Sequence, residues 1–229
     1  DDSDTVGFPV VSAALSEDAA ALGLDVPRPP IRYATAYKKK VEKLLAQPRR
    51  DWKQSPLSFS LEGMWRAVGH DDDVLEAEQS VASSPAATAA YLFNHDHQGV
   101  LESLRTLMQA DGGIPAFTSI DFFEITWSLS RLQAVRAVDP QMPEVRQFLD
   151  HLWRAWSPTT GLHFSSFFRV CDLDLTSAAF TLLRWGGYPV DADAFEYYEM
   201  EDHFCTYREE TNPSPSTHLR LLIALQSCP

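Results

Sequence analysis

A recurring helix-start signal constrains this chain more than any other feature. Ser84-Pro85 opens a stretch from Pro85 to Phe93, Ser119-Ile120-Asp121 one reaching Gln133, Asp174 one reaching Trp185, and Ser214-Pro215 one reaching Gln226. Ser and Asp side chains accept hydrogen bonds from the N–H groups that a first helical turn leaves free. Proline at the first helical position has no N–H to lose. A loop containing Gly, Pro or aromatic residues precedes each start: Gln79 to Ser83, Asp111 to Pro115, Gly161 to Phe164, and Phe204 to Pro213. The interval is irregular, roughly 35 to 55 residues, which suits helical hairpins stacked around an axis.

The N-terminal part reads the same way. Phe8 to Leu22 is predicted helical and ends at Gly23, and Pro27-x-Pro29-Pro30 forbids helix before the next segment. Ile31 to Ala46 carries the basic stripe Lys38, Lys39, Lys40 and Lys43, expected to be a solvated face. Pro56 to Met64 begins another helix, and His70-Asp71-Asp72-Asp73 is a polar turn. Sustained β alternation is scarce. The expected class is all-α, as an αα-barrel or toroid, a double ring of helical hairpins.

Composition narrows the function. With 229 residues, 45% of them hydrophobic and 11% aromatic, the chain is globular and large enough for one or two cores. A formal net charge of −13 argues against nucleic acid or an anionic membrane as a partner. Cys171, Cys205 and Cys228 are odd in number and lack metal-ligand spacing, so free thiols of a reducing, cytoplasmic compartment are expected. No apolar run approaches the ~18 residues of a membrane span, and no signal peptide is visible. The start at Asp1, with Asp1 to Thr5 frayed, and the stop at Pro229 suggest a piece of a longer protein.

The chemistry concentrates at Val170 to Arg184. Asp172 and Asp174 stand one residue apart at the mouth of an apolar helix, directly after Phe164, Phe167 and Phe168. Locally, Asp174 followed by an apolar run and Gly186-Gly187 is also a plain N-capped helix with a glycine stop. Phe59, Phe122, Phe123 and Trp127 add aromatic surface, which at helical spacing is equally ordinary core. His95-Asp96-His97 lacks further metal ligands, and Asp71-Asp72-Asp73 reads as a solvated cap; no metal site is assigned.

Several segments, in order, resemble class II terpene (diterpene) cyclases of the copalyl diphosphate synthase-like kind. They are Ser58 to Met64, Ser83 to Ala89, Gly112-Gly113-Ile114-Pro115, Asp121 to Trp127 with Arg131-Leu132-Gln133, the Asp172-x-Asp174 motif, and Gly187 to Phe195. The resemblance implies two αα domains. Residues 1–155 would be γ-like, and 156–229 part of a β-like domain carrying the Asp-x-Asp motif. It implies protonation-initiated cyclisation of a linear geranylgeranyl or farnesyl diphosphate to a bicyclic diphosphate. Asp174 matches the proton donor and Asp172 a supporting carboxylate. Trp127 and Phe164 match aromatic positions of the family's motifs, and Phe59, Ala116, Phe123 and Phe168 join them as expected substrate-pocket residues.

Magnesium is implied for the diphosphate, with ligands outside this chain. Implied too are the remaining β domain and an α or prenyltransferase domain of the same parent polypeptide. Leu175 stands where the family's motif has its last Asp. A leucine neither accepts a hydrogen bond nor shares a proton, which shortens the acid's polar network. Phe59 and Ala116 stand where plant enzymes of gibberellin biosynthesis carry the His and Asn that orient a terminal water. These departures motivate an alternative, a catalytically inactive αα scaffold beside a class I terpene synthase or prenyltransferase domain.

Overall fold

The computed structural model describes residues 7–69, 71–93, 95–118, 120–208, 210 and 213–228. The expectations for Asp1 to Thr5, His70, Ser119 and Pro229 lie outside the described residues. Among those described, the chain is all-helical apart from isolated β-bridges. It divides into two compact units, Asp1–Ser119 and Ile120–Pro229. The boundary expected near residue 155 falls inside the second unit, at the C-terminus of the helix Pro143–Ala155.

The first unit holds α1 (Gly7–Ala21), α2 (Ile31–Leu45), α3 (Trp65–Val68), α4 (Pro85–Leu92) and α5 (Gln98–Leu107). The helix expected over Pro56 to Met64 is a 3-10 stretch, Pro56–Gly63, broken at Ser60 with φ −114° and ψ 28°. Close packing explains the tight winding, since α1 and α4 both lie against it and a Cβ on Gly63 would stand 2.8 Å from Val10 Cγ1. Val10, Leu44, Trp52, Leu61, Met64 and Tyr91 are fully enclosed. Lys40 departs from the expected solvated stripe: it is buried, at 5% exposure, while Lys38 and Lys39 are exposed.

Ser84 caps α4, its hydroxyl accepting from the Ala87 N–H at 3.2 Å, as the Ser-Pro start predicts. Asp71 caps the 3-10 turn Asp72–Val74. α5 and the later helix α7 (Pro143–Ala155) were not anticipated. A histidine imidazole, His97 Nδ1, caps α5, and Met142 before α7 supplies no side-chain cap, so neither start carries the usual signal.

In the second unit α6 (Asp121–Ala134), α7 and α9 (Pro215–Gln226) all pack on α8 (Leu173–Trp185). α8 is buried on nearly every side, including Leu173, Leu175, Thr176, Ser177, Ala178, Ala179, Phe180, Leu182 and Leu183. A helix buried on most of its faces belongs at a core centre. A polar seam fixes the loop before it. Thr176 Oγ1 takes the Leu162 N–H at 3.0 Å, and the Tyr198 hydroxyl donates to the Thr160 carbonyl at 2.7 Å.

Gly161 makes that seam possible. Its φ is +72°, and a Cβ there would lie 2.1 Å from Thr176 Cγ2. Left-handed backbone costs a non-glycine residue about 1–2 kcal/mol, and overpacking adds about 1–3 kcal/mol. Gly187 shares the left-handed conformation, φ +81°, with nothing within 4 Å. Gly161→Ala is therefore expected to lose roughly 2–5 kcal/mol in urea denaturation. Gly187→Ala should lose only about 1–2 kcal/mol. Equal losses would contradict this account of the loop.

Candidate functional site

The two carboxylates, with one residue between them, occupy unlike environments. Asp172, not Asp174, is the N-cap of α8, its Oδ1 accepting from the Leu175 N–H at 2.9 Å. The helix therefore begins earlier than expected. Asp172 is buried, at 5% exposure. Burial is the main cause pushing its pKa up to about 7. The charge of Asp174 adds to it, while the Leu175 N–H and the Tyr207 hydroxyl oppose it by hydrogen-bonding the carboxylate. Tyr207 is itself raised, by its burial first and by the charge of Asp172 next.

Asp174 sits at the second helical position, where its carboxylate meets Arg220 of α9: Nε lies 2.7 Å from Oδ1. The Arg220 guanidinium in turn lies over the Trp127 ring of α6, 3.9 Å from the centroid. The Trp127 Nε1 is buried and has no hydrogen-bond partner.

The aromatic residues form a continuous run within the second unit. Trp127 lies 5.7 Å from Phe123, centroid to centroid, and Phe123 stacks on Phe164 at 5.8 Å. Phe164 reaches Phe168 at 6.0 Å and stacks on Tyr207 at 6.2 Å. Through Tyr207 the run ends at Asp172, and through Trp127 and Arg220 it ends at Asp174. Phe167 is exposed.

Asp121, the first residue of α6, anchors the loop that carries these phenylalanines. It accepts the Ser166 N–H at 2.8 Å and the Ser166 hydroxyl at 2.7 Å, and meets His151 Nε2 at 2.9 Å. Burial works to raise the Asp121 pKa, but these hydrogen bonds outweigh it and hold it below the usual carboxylate value. The Phe123 N–H donates to the Phe164 carbonyl at 3.2 Å, tying helix and loop together.

Phe59 and Ala116 belong to the first unit, where Phe59 stacks on Phe117 at 5.2 Å and Ala116 is exposed. Leu175 is 1% exposed and part of the apolar core with Leu149, Leu152 and Phe180. Its side chain is spent on packing, so the position that departs from the motif is a core position here.

Tyr207 and Arg220 were not singled out from the sequence. Arg220 had a readable signal, a lone arginine inside the apolar run Leu219 to Leu225, because a buried charge in such a run needs a partner. Tyr207, in an irregular loop, had none. Among the described residues no group of three His, Cys, Asp or Glu could hold a metal ion, so this donor set does not fit magnesium. His95 and His97 instead cluster with Asp72 and Tyr91. No disulfide joins Cys171, Cys205 and Cys228. No helix among the described residues is long and apolar enough to cross a membrane.

No family model matches the chain. Individual proteins do. The chloroplastic kolavenyl diphosphate synthase of Vitex agnus-castus is 33% identical over 221 residues, 93% of this chain and 26% of its own length. The chloroplastic ent-copalyl diphosphate synthase of Arabidopsis thaliana is 31% identical over 96% of this chain and 28% of its own length. The solved structure of ent-copalyl diphosphate synthase from Arabidopsis thaliana, in complex with (S)-15-aza-14,15-dihydrogeranylgeranyl thiolodiphosphate, matches with a TM-score of 0.74 and 30% identity. It covers 96% of this chain and 33% of that one. Abietadiene synthase from Abies grandis matches with a TM-score of 0.74 and 25% identity, over 96% of this chain and 30% of its own. The chain thus spans about a quarter of the length of the curated relatives it matches.

The buried cap gives a signed prediction. Because the Asp172 pKa is raised on folding, the folded state holds its proton more tightly than the unfolded chain does. Stability from this group is full below pH ~4 and is lost as pH rises to about 7. Asp172→Asn keeps a capping oxygen but cannot ionise. In urea denaturation the variant should gain roughly 2–4 kcal/mol relative to wild type between pH 4 and pH 8. A difference independent of pH would contradict the shift.

Proposed function

We propose that this chain, related by sequence and fold to the class II diterpene cyclases over nearly its whole length, is a segment of an enzyme that starts cyclisation by protonating a carbon–carbon double bond. The substrate is a linear prenyl diphosphate, geranylgeranyl or farnesyl, and the product a bicyclic diphosphate with its diphosphate intact. The observation that carries the reading is the pair of carboxylates joined to one aromatic run, Asp172 through Tyr207 and Asp174 through Arg220.

In this mechanism Arg220 releases the Asp174 carboxylate, which takes up a proton from solvent and delivers it to the terminal double bond, and Asp172 supports it. A buried carboxyl beside a second carboxylate avoids double ionisation, which favours holding one proton in the pair. The aromatic faces of Trp127, Phe123 and Phe164 stabilise the cation that forms, with cation–π contacts of about 0.5–2 kcal/mol each. Phe168 closes the same run, and Phe59 and Ala116 are pocket positions by the resemblance alone. The γ-like 1–155 and β-like 156–229 division belongs to this proposal.

Magnesium would serve as a counter-ion to the diphosphate, with ligands outside this chain, as the resemblance implies. The remaining β domain and an α or prenyltransferase domain would belong to the same polypeptide. Three unpaired cysteines support a reducing compartment such as the cytoplasm.

Two observations favour a second reading, a scaffold without catalysis. Asp174 is ion-paired, and Leu175 is core where the motif has a carboxylate. Incubating the full natural polypeptide with geranylgeranyl and farnesyl diphosphate plus magnesium separates the two. After dephosphorylation, mass spectrometry should find a bicyclic alcohol that falls at least about 100-fold in Asp174→Asn. Only linear alcohol from both substrates would overturn the cyclase reading and leave the scaffold.

A further inference from the structure

A guanidinium and a carbocation ask for the same surroundings, an aromatic face with a counter-charge beside it. The second unit builds that seat from Trp127 on α6 and Asp174 on α8, and fills it with its own Arg220 from α9. The guanidinium carbon lies 3.9 Å from the Trp127 centroid, and Nε lies 2.7 Å from the Asp174 carboxylate. Arg220 and Asp174 are both partly buried, with side-chain exposures of 31% and 23%, so the pair is shielded from full solvation. The indole N–H is buried and unpartnered, which leaves the ring face as the working surface of Trp127.

We propose that Trp127 and Asp174 form a seat for a lipophilic cation, and that Arg220 is its tethered resident, an autoinhibitory contact that external cations must displace. The ligand class is a carbocation or its stable mimic, a tertiary or quaternary ammonium group. This choice of ligand rests on the cyclase reading; the seat and its occupant do not. A resident fixed in place competes as if at high local concentration, so an external cation binds with an affinity reduced by the fraction of time the seat is open. The same displacement frees the Asp174 carboxylate from its ion pair. Arg220 is thereby a positioning residue, acting on the acid and on the π surface together.

The test uses benzyltrimethylammonium as probe, titrated into the full natural polypeptide by calorimetry. Wild type should bind weakly, and Arg220→Gln at least about tenfold more tightly. Arg220→Gln combined with Asp174→Asn should lose most of that gain, because the counter-charge is gone while the ring remains. Arg220→Lys, which keeps a cation, should stay close to wild type. Should Arg220→Gln fail to fold by circular dichroism, Arg220→Met preserves the packing of the stem and carries the same expectation. An Arg220→Gln or Arg220→Met protein that binds no more tightly than wild type would overturn the inference, as would a double variant that binds equally well. Tightened ammonium binding without any cyclised product would leave this seat standing and remove the cyclase reading. Cyclised product with unchanged ammonium affinity would do the reverse.

Discussion

A carboxylate placed at a helix N-terminus inside protein is pulled in two directions, and the second unit is organised around that conflict at Asp172. The first turn of α8 needs an acceptor for its free N–H groups, and Asp172 supplies it to Leu175. Helix and hydrogen bond favour the charged form, whereas burial opposes it and prevails, lifting the pKa to about 7. Everything near the cap follows from this. Tyr207 donates to it, the Leu173 N–H is held by the Thr206 carbonyl at 3.0 Å, and Asp174 turns toward α9 and its arginine. Two acids of identical chemistry thereby come to differ in environment.

The aromatic run depends on the same anchoring. Phe164 and Phe168 sit on a loop, where side chains are not ordered by helical geometry. Asp121 compensates by binding both the backbone and the hydroxyl of Ser166, and Ser165 Oγ accepts the Phe168 N–H at 2.8 Å. The loop is thus tied to α6, the helix that presents Phe123 and Trp127. The proposed cation chemistry would need this fixity, because stabilisation falls off as soon as a ring turns its edge toward the positive charge.

The parts of this arrangement legible in the sequence are those with local causes. Ser84-Pro85 and Ser214-Pro215 mark helix starts because the cap and the proline act within one turn. Phe123, Trp127, Phe164 and Phe168 stand out in the sequence as aromatic candidates, and their rings form one run in the fold. Leu175 was read as a gap in a polar network, and its packing in the core was not foreseen because facing is decided by the neighbours of α8. The cap at Asp172 was missed for a similar reason. Both Asp172 and Asp174 are good capping residues, and only the register of the packed helix decides between them. Arg220 lies 46 positions from Asp174, a pairing set by the packing of α9 on α8 rather than by spacing.

The central claim is that Asp172 and Asp174, separated by one residue, are held in opposed environments by the buried N-terminus of α8. Carbon-13 NMR of the aspartate carboxyl carbons, followed through pH in the full natural polypeptide, addresses it residue by residue. The account predicts that the Asp172 carboxyl carbon titrates with a midpoint about 7, and that this midpoint falls when Asp174→Asn removes the neighbouring charge. A midpoint for Asp172 near ~3.9, the ordinary aspartate value, would contradict it.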